Sequence, residues 1–143
     1  MATKITAAMA SAIDTAATNA ATTAFATTAG AGTTVEVRTG AAPSTPETAA
    51  TGTLLATVTI GTWSGTSDGT GNITAPDPAG VMIAASGQAA HFRLKTSGGT
   101  ALMDGTVGTS GADLNLDSVS LVAGGTLNLG APTLTLPVTV NVA

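Results

Sequence analysis

The sequence predicts an all-β fold, a β-sandwich or jelly roll, carrying an N-terminal α-helix. Three observations predict it. Beyond residue 33 apolar side chains recur at every second position, the period of a half-buried strand. Glycine and proline clusters punctuate that alternation at regular spacing. Before residue 30 the spacing is four instead of two, and no later stretch repeats it. The expected division is a helix or arm over residues 1–30 and a β-domain over residues 31–143.

The helix is expected over residues 4–25. Ile5, Met9 and Ile13 are four apart, and Ala16, Ala20 and Ala24 extend the stripe. Thr3 or Thr6 can cap its start, because a hydroxyl oxygen accepts from an otherwise unpaired N–H of the first turn. The many threonines are stiff at χ1 and lower helix propensity, so the far end is expected to fray. Gly30 and Gly32 end the element. The stripe is narrow and built largely of small side chains. It can lie against its own sheet or act as an arm on another subunit. Threonines 15, 18, 22, 23, 27 and 28 keep no fixed repeat, so an ice-binding helix is excluded. The opening "MATKITAAMASAIDTAATNAA" is dominated by Ala and Thr and broken by Asp14, unlike a cleaved leader.

The β-domain follows in short pieces. "TVEVRTG" sends Val35 and Val37 to one face, Glu36 and Arg38 to the other. "GAAPSTPETAATG" is a loop punctuated by Pro43, Pro46 and Gly52. "TLLATVTIGTW" places Leu54, Ala56, Val58 and Ile60 on one face. "SGTSDGTGN" is a polar loop, "PDPAG" a turn and "VMIAA" a short apolar strand. "AAHFRLKTSGGTALMDGTV" reads as a hairpin: Ala90, Phe92 and Leu94 point one way, His91, Arg93 and Lys95 the other. Its "SGG" supplies the positive-φ residue a tight turn needs. The phase of Leu127 and Leu129 flips across Gly130, Ala131 and Pro132, as at a corner or bulge. "TLTLPVTVNVA" alternates to the end, with Pro137 marking an edge or a bulge.

Composition narrows function. The chain has 143 residues, enough for one domain with its own core. Charged residues are 8%, against about 25% in ordinary soluble domains. Alanine and threonine make up about two-fifths of the chain. Alanine buries little area, so the core is thin and stability shared with a neighbouring subunit is expected. Net charge is −4 and only four residues are Lys or Arg, which leaves no basic surface for nucleic acid. No apolar run is long enough to span a bilayer. Without cysteine there is no disulfide, thiol nucleophile or thiolate metal site.

The stretch "MDGTVGTSGADLNLDSVSL" at 103–121 is the one candidate for a metal loop. Asp113, Asn115 and Asp117 occupy the first, third and fifth positions of a calcium loop. The sixth and twelfth positions are Ser118 and Gly124, so the sharp turn and the bidentate glutamate are both lost. The alternation of Asp113 to Asp117 fits a strand instead, with Leu114 and Leu116 entering the core. No metal site and no cofactor are expected. His91, the sole histidine, is expected on the polar surface of its strand, without the neighbouring acid a general base needs. No serine stands in a nucleophile elbow, and "SDGTGN" lacks the ending of a phosphate loop. No enzyme is expected. Trp63 either closes the end of the core or offers an aromatic contact to a partner.

Several of these stretches resemble small virion structural proteins of tailed bacteriophages. They are "VEVRTGAAPSTPETAATGTLLATVTI", "FRLKTSGGTALMDGTVGTSGADLNL" and "LVAGGTLNL". With the preceding helix the resemblance covers most of the chain. It implies a capsid cement (decoration) protein that bridges major capsid protein subunits on the head surface after assembly in the host cytoplasm. It further implies a homo-oligomer, dimer or trimer, with no nucleic-acid and no membrane partner. Expected interface residues are Ile5, Met9, Ile13, Trp63, Val138, Val140 and Val142. A tail or adaptor subunit is the alternative within the virion, and a carbohydrate-binding or adhesive β-sandwich the alternative of another class.

Overall fold

The computed structural model describes residues 6–65, 72–130 and 133–135, and within these it leaves some side chains undescribed. Among the described residues, helix α1 (Ala7–Ala29) leads into twelve strands. The main sheet is formed by β1 (Thr33–Arg38), β2 (Leu54–Ile60), β7 (His91–Lys95), β8 (Ala101–Gly108) and β9 (Leu114–Asn115). Short pieces make up three further sheets: β3 (Ser64–Gly65), β4 (Asn72–Thr74), β5 (Val81–Met82), β6 (Gly87–Gln88), β10 (Ser120–Leu121), β11 (Thr126–Leu127) and β12 (Thr133–Thr135). The result is a helix with an open, curved five-stranded sheet of order β2-β1-β7-β8-β9. The three small sheets pair β10 with β6, β11 with β5, and β12 with β4 and β3.

The helix begins where a cap allows it. Thr6 Oγ1 accepts from the Met9 N–H at 3.2 Å, the geometry of an N-cap serving the third helical residue. It ends at Gly30, whose φ of 64° lies in the left-handed region that closes helices. The expected fraying does not occur, and α1 runs four residues past the expected end, to Ala29. The cause is tertiary: Ala29 is buried in the core and pins the last turn. Elsewhere on the helix every described side chain is exposed or half-buried.

Period two holds where the sheet is deepest. In β1 the odd residues are buried and the even ones half-covered. Val35 lies opposite Val58 and Leu94, and Val37 opposite Ala56 and Phe92. These residues form one cluster with Leu121 of β10, Leu127 of β11, and Trp63, Ala75 and Ile83, which flank β3, β4 and β5. Leu54 departs from expectation. The register slips opposite Val37 and Arg38, so Leu55 becomes the extra residue and is fully buried in its place. Its side chain packs toward Gly87, and its carbonyl accepts from the Ala84 N–H at 2.7 Å.

The β7–β8 hairpin forms as expected. Gly99, with φ 91°, turns the chain, and the Thr96 N–H donates to the Thr100 carbonyl at 2.8 Å. Phe92 lies opposite Gly105, which leaves room for the ring: a Cβ there would stand 2.4 Å from Phe92 Cε1. β9 runs parallel to β8, with Val107 opposite Leu114. So short a parallel link lacks the usual helical crossover, and side chains close it instead. Asp113 Oδ2 accepts from the Thr106 N–H and Oγ1–H at 2.9 and 3.0 Å, and the Leu116 N–H donates to the Gly108 carbonyl at 2.8 Å.

Candidate functional site

The antiparallel register of β1, β7 and β8 brings the even positions of β1 and the odd positions of β7 to one face. Glu36 stands opposite Arg93, which stands opposite Asp104. Arg38 stands opposite His91, which stands opposite Thr106. Three of the chain's four basic residues, Arg38, Arg93 and Lys95, therefore share this face.

Their bonds form two adjoining groups. Arg93 meets Asp104 as a two-pronged fork, Nε to Oδ1 at 2.6 Å and Nη2 to Oδ2 at 2.7 Å. Its remaining nitrogen, Nη1, donates to the Thr48 carbonyl at 2.7 Å. Glu36 accepts from Lys95 at 2.7 Å and from Arg38 Nη2 at 2.9 Å. Arg38 Nη1 also donates to the Gly52 carbonyl at 3.3 Å. The arginines thus tie the 41–53 loop over the polar face. Burial pushes the Glu36 carboxyl up, but the hydrogen bonds and charges of Lys95 and Arg38 together outweigh it and hold it below the ordinary range. The Asp104 carboxylate pushes the Arg93 guanidinium up against the opposing effect of burial.

Between these groups, the loop and the β7–β8 turn lies an open cleft of about 550 Å³. Arg38, Glu47, Thr48, Arg93, Lys95 and Thr100 line it. The three cations there are matched by Glu36, Asp104 and Glu47, so the cleft is close to neutral. Its chemistry is that of a fastener: cations already engaged by internal acids hold a loop in place.

His91 corrects the expectation of a surface histidine. It is 1% exposed, because the loop that covers Arg93 also covers its row. Nδ1 lies 2.8 Å from the Gly40 carbonyl. A carbonyl only accepts, so Nδ1 carries the hydrogen of this contact. Nε2 is buried without a hydrogen-bond partner, and the ring lines neither the cleft nor the smaller hollow described next.

The acids of 103–121 go three ways. Asp104 pairs with Arg93, Asp113 folds back on Thr106, and Asp117 lines a separate hollow of about 230 Å³ beside Leu116 and Ser118. Asn115 serves its own turn, its Oδ1 accepting from the Ala112 N–H at 3.1 Å. Among the described residues no three His, Asp or Glu side chains converge on a point. Residues 111–113 form a bend, and Leu114–Asn115 the short strand β9.

The expected interface residues separate. Met9 is 54% exposed on α1. Ile13 lies within the same helix, and its side chain is not described. Ile5, Val138, Val140 and Val142 lie outside the described residues. Trp63 is inside: it is 3% exposed, and its Nε1–H donates to Thr33 Oγ1 at 2.8 Å. It closes the end of the core, the first of its two expected roles. The ion pairs of the polar face escaped sequence reasoning, although their signal was present in the same-face pairs Glu36/Arg38 and Arg93/Lys95.

No protein-family model, curated protein or solved structure matches the chain. Among the described residues no helix is long and apolar enough to cross a membrane.

Proposed function

We propose that the protein is a structural brace of a tailed-phage virion, a capsid cement protein that joins neighbouring capsid subunits. The observation that carries this reading is α1. It is 23 residues long, yet of its described side chains Ala29 alone is buried. An isolated helix rich in alanine and threonine is marginal in water; α1 packs on β3 and β4, and its exposed described side chains leave a face for a neighbouring subunit. Low charge supports the same reading, because interfaces then bury few unpaired ions. Many equivalent contacts across a shell let individually modest ones add. We further infer that the small sheets form a second layer against the five-stranded one, in the manner of a sandwich, since Leu121 of β10 and Leu127 of β11 join the main sheet's core cluster.

The adhesive reading loses its aromatic platform, because Trp63 is buried and no other tryptophan exists. The test is to mix the purified protein with heads of the phage that encodes it, prepared without this subunit. Co-sedimentation at saturating stoichiometry, with heads that resist heat better, is the expected result. Protein left in the supernatant of heads but bound to isolated tails moves it to the tail or adaptor role. Protein that binds neither overturns the virion reading.

A further inference from the structure

We propose that the hollow between β9, β10 and β11 is a docking site for one lysine side chain of a partner protein, its stem on the apolar floor and its ammonium on the Asp117 carboxylate. The floor is apolar and fixed. Leu116 follows β9, Leu121 belongs to β10, Leu127 to β11, and Ile83 follows β5. Each is at most 6% exposed and each belongs to the core cluster, so the hollow reaches the core itself. The main chain of Ile83 is held on both sides: its N–H donates to the Gly125 carbonyl at 2.8 Å, and its carbonyl accepts from the Gly124 N–H at 2.9 Å. On the rim Ser118 and Ser120 satisfy one another. The Ser120 N–H donates to Ser118 Oγ at 3.2 Å, and the Ser118 hydroxyl donates to the Ser120 carbonyl at 3.4 Å. Asp117 differs. Glu36 and Asp104 pair with cations and Asp113 is held by Thr106, but among the described residues no cation or hydrogen-bond donor meets the Asp117 side chain, which is exposed.

Size, floor and charge choose the occupant. A volume of about 230 Å³ is below the roughly 300 Å³ at which small-molecule pockets begin, so one side chain fits better than a cofactor. An apolar floor with one carboxylate at its edge gives a metal ion too few oxygens, since calcium takes about six to eight. It suits a run of methylenes that ends in a compact point charge, and that is the build of lysine. The cations of the polar face do not supply it, because Arg38, Arg93 and Lys95 are engaged there by Glu36 and Asp104. The assignment rests on the hollow alone and holds whether or not the partner is a viral shell.

The experiment is an NMR titration of the full chain with n-butylammonium chloride as the probe, followed at the methyl groups of Ile83, Leu116, Leu121 and Leu127. Saturable shifts of these methyls are expected, with a Kd of roughly 1–30 mM for a ligand of so few atoms. n-Butanol has the same stem and no charge, and should bind about two- to fivefold more weakly, the worth of an exposed ion pair. Asp117→Asn should bring butylammonium down to the level of butanol and leave butanol unchanged. The amide spectrum of the variant confirms that it is folded. Methyls that do not shift overturn the proposal. So does equal binding of butylammonium and butanol to the wild type, or a difference that Asp117→Asn leaves in place. Tighter binding of n-butylguanidinium would assign the hollow to arginine, and shifts that appear only with Lys4→Ala would mean that the chain's own Lys4 fills it; either result overturns the assignment to a partner's lysine. Co-sedimentation with heads by a protein whose hollow takes no probe would show that this site fails while the virion reading stands.

Discussion

Arg93 and Asp104 meet across β7 and β8 as a bidentate pair whose side chains are only 4% and 8% exposed. In a chain this poor in charge, the pair is a costly thing to bury. Coulombic attraction in a partly dry site offsets desolvation only with good geometry and satisfied remaining donors, and here the Thr48 carbonyl takes the third nitrogen. The pair therefore matters most when it is broken. Asp104→Asn, which leaves the guanidinium without its counter-ion, should cost about 3 kcal/mol in urea unfolding. The apolar double replacement Arg93→Met with Asp104→Leu should cost far less. It should still free the 41–53 loop, which limited proteolysis would detect as new cleavage there.

Gly105 offers a second test, of packing. A methyl group at this position would stand 2.4 Å from Phe92 Cε1 and 2.6 Å from Cζ, so the ring must move. The ring has little freedom, because Phe92 is 2% exposed in the centre of the core. Gly105→Ala should destabilise by about 1–3 kcal/mol through overpacking. Adding Phe92→Leu, which removes the obstructing edge, should recover part of the loss, so the two changes should be non-additive in denaturant midpoints.

These two sites show what was legible in the sequence. Alternation assigned Val35, Val37, Phe92 and Leu94 to the core face, and the structure agrees. Glycine marked the helix end and the β7–β8 turn for the same conformational reason. Alternation does not say which strand lies beside which. Glu36 and Lys95 bond across 59 positions of sequence, and only the β1–β7 register brings them together. Nor does a polar face announce that a loop will cover it, which is why His91 and Arg93 are buried. Leu54 was misplaced because one extra residue in β2 reverses the phase. The small sheets were least visible, since strands of two residues leave hardly any period to read.

Glu36 predicts a dependence on pH. Its carboxyl is held below the ordinary value of 4.5 in the folded chain by Lys95 and Arg38, against the effect of burial. The unfolded state then takes up the proton first as pH falls. The stability this residue contributes is complete above about 4.5 and is lost as pH drops through its folded value. Glu36→Gln should be less stable than wild type at pH 7 by about 1–2 kcal/mol. The gap should narrow in urea titrations carried below pH 4.5. A gap that stays constant from neutral to acid would show that the carboxylate makes no linked contribution.

Trp63 gives the last prediction and a convenient probe. It is the sole tryptophan, and its indole N–H reaches the hydroxyl of Thr33, a residue with no exposed surface. A buried polar atom that loses its partner retains its desolvation penalty, which is why one-sided removal costs more than joint removal. Trp63→Phe leaves the Thr33 hydroxyl without this donor and should cost about 1–3 kcal/mol, part of it from lost ring contacts. Thr33→Val should cost about 1 kcal/mol and, in the wild-type background, shift the Trp63 emission. The two together should cost less than their sum by about 1 kcal/mol, the coupling of a buried hydrogen bond. Additive costs in the double-mutant cycle would mean that Trp63 holds the end of the core by packing alone.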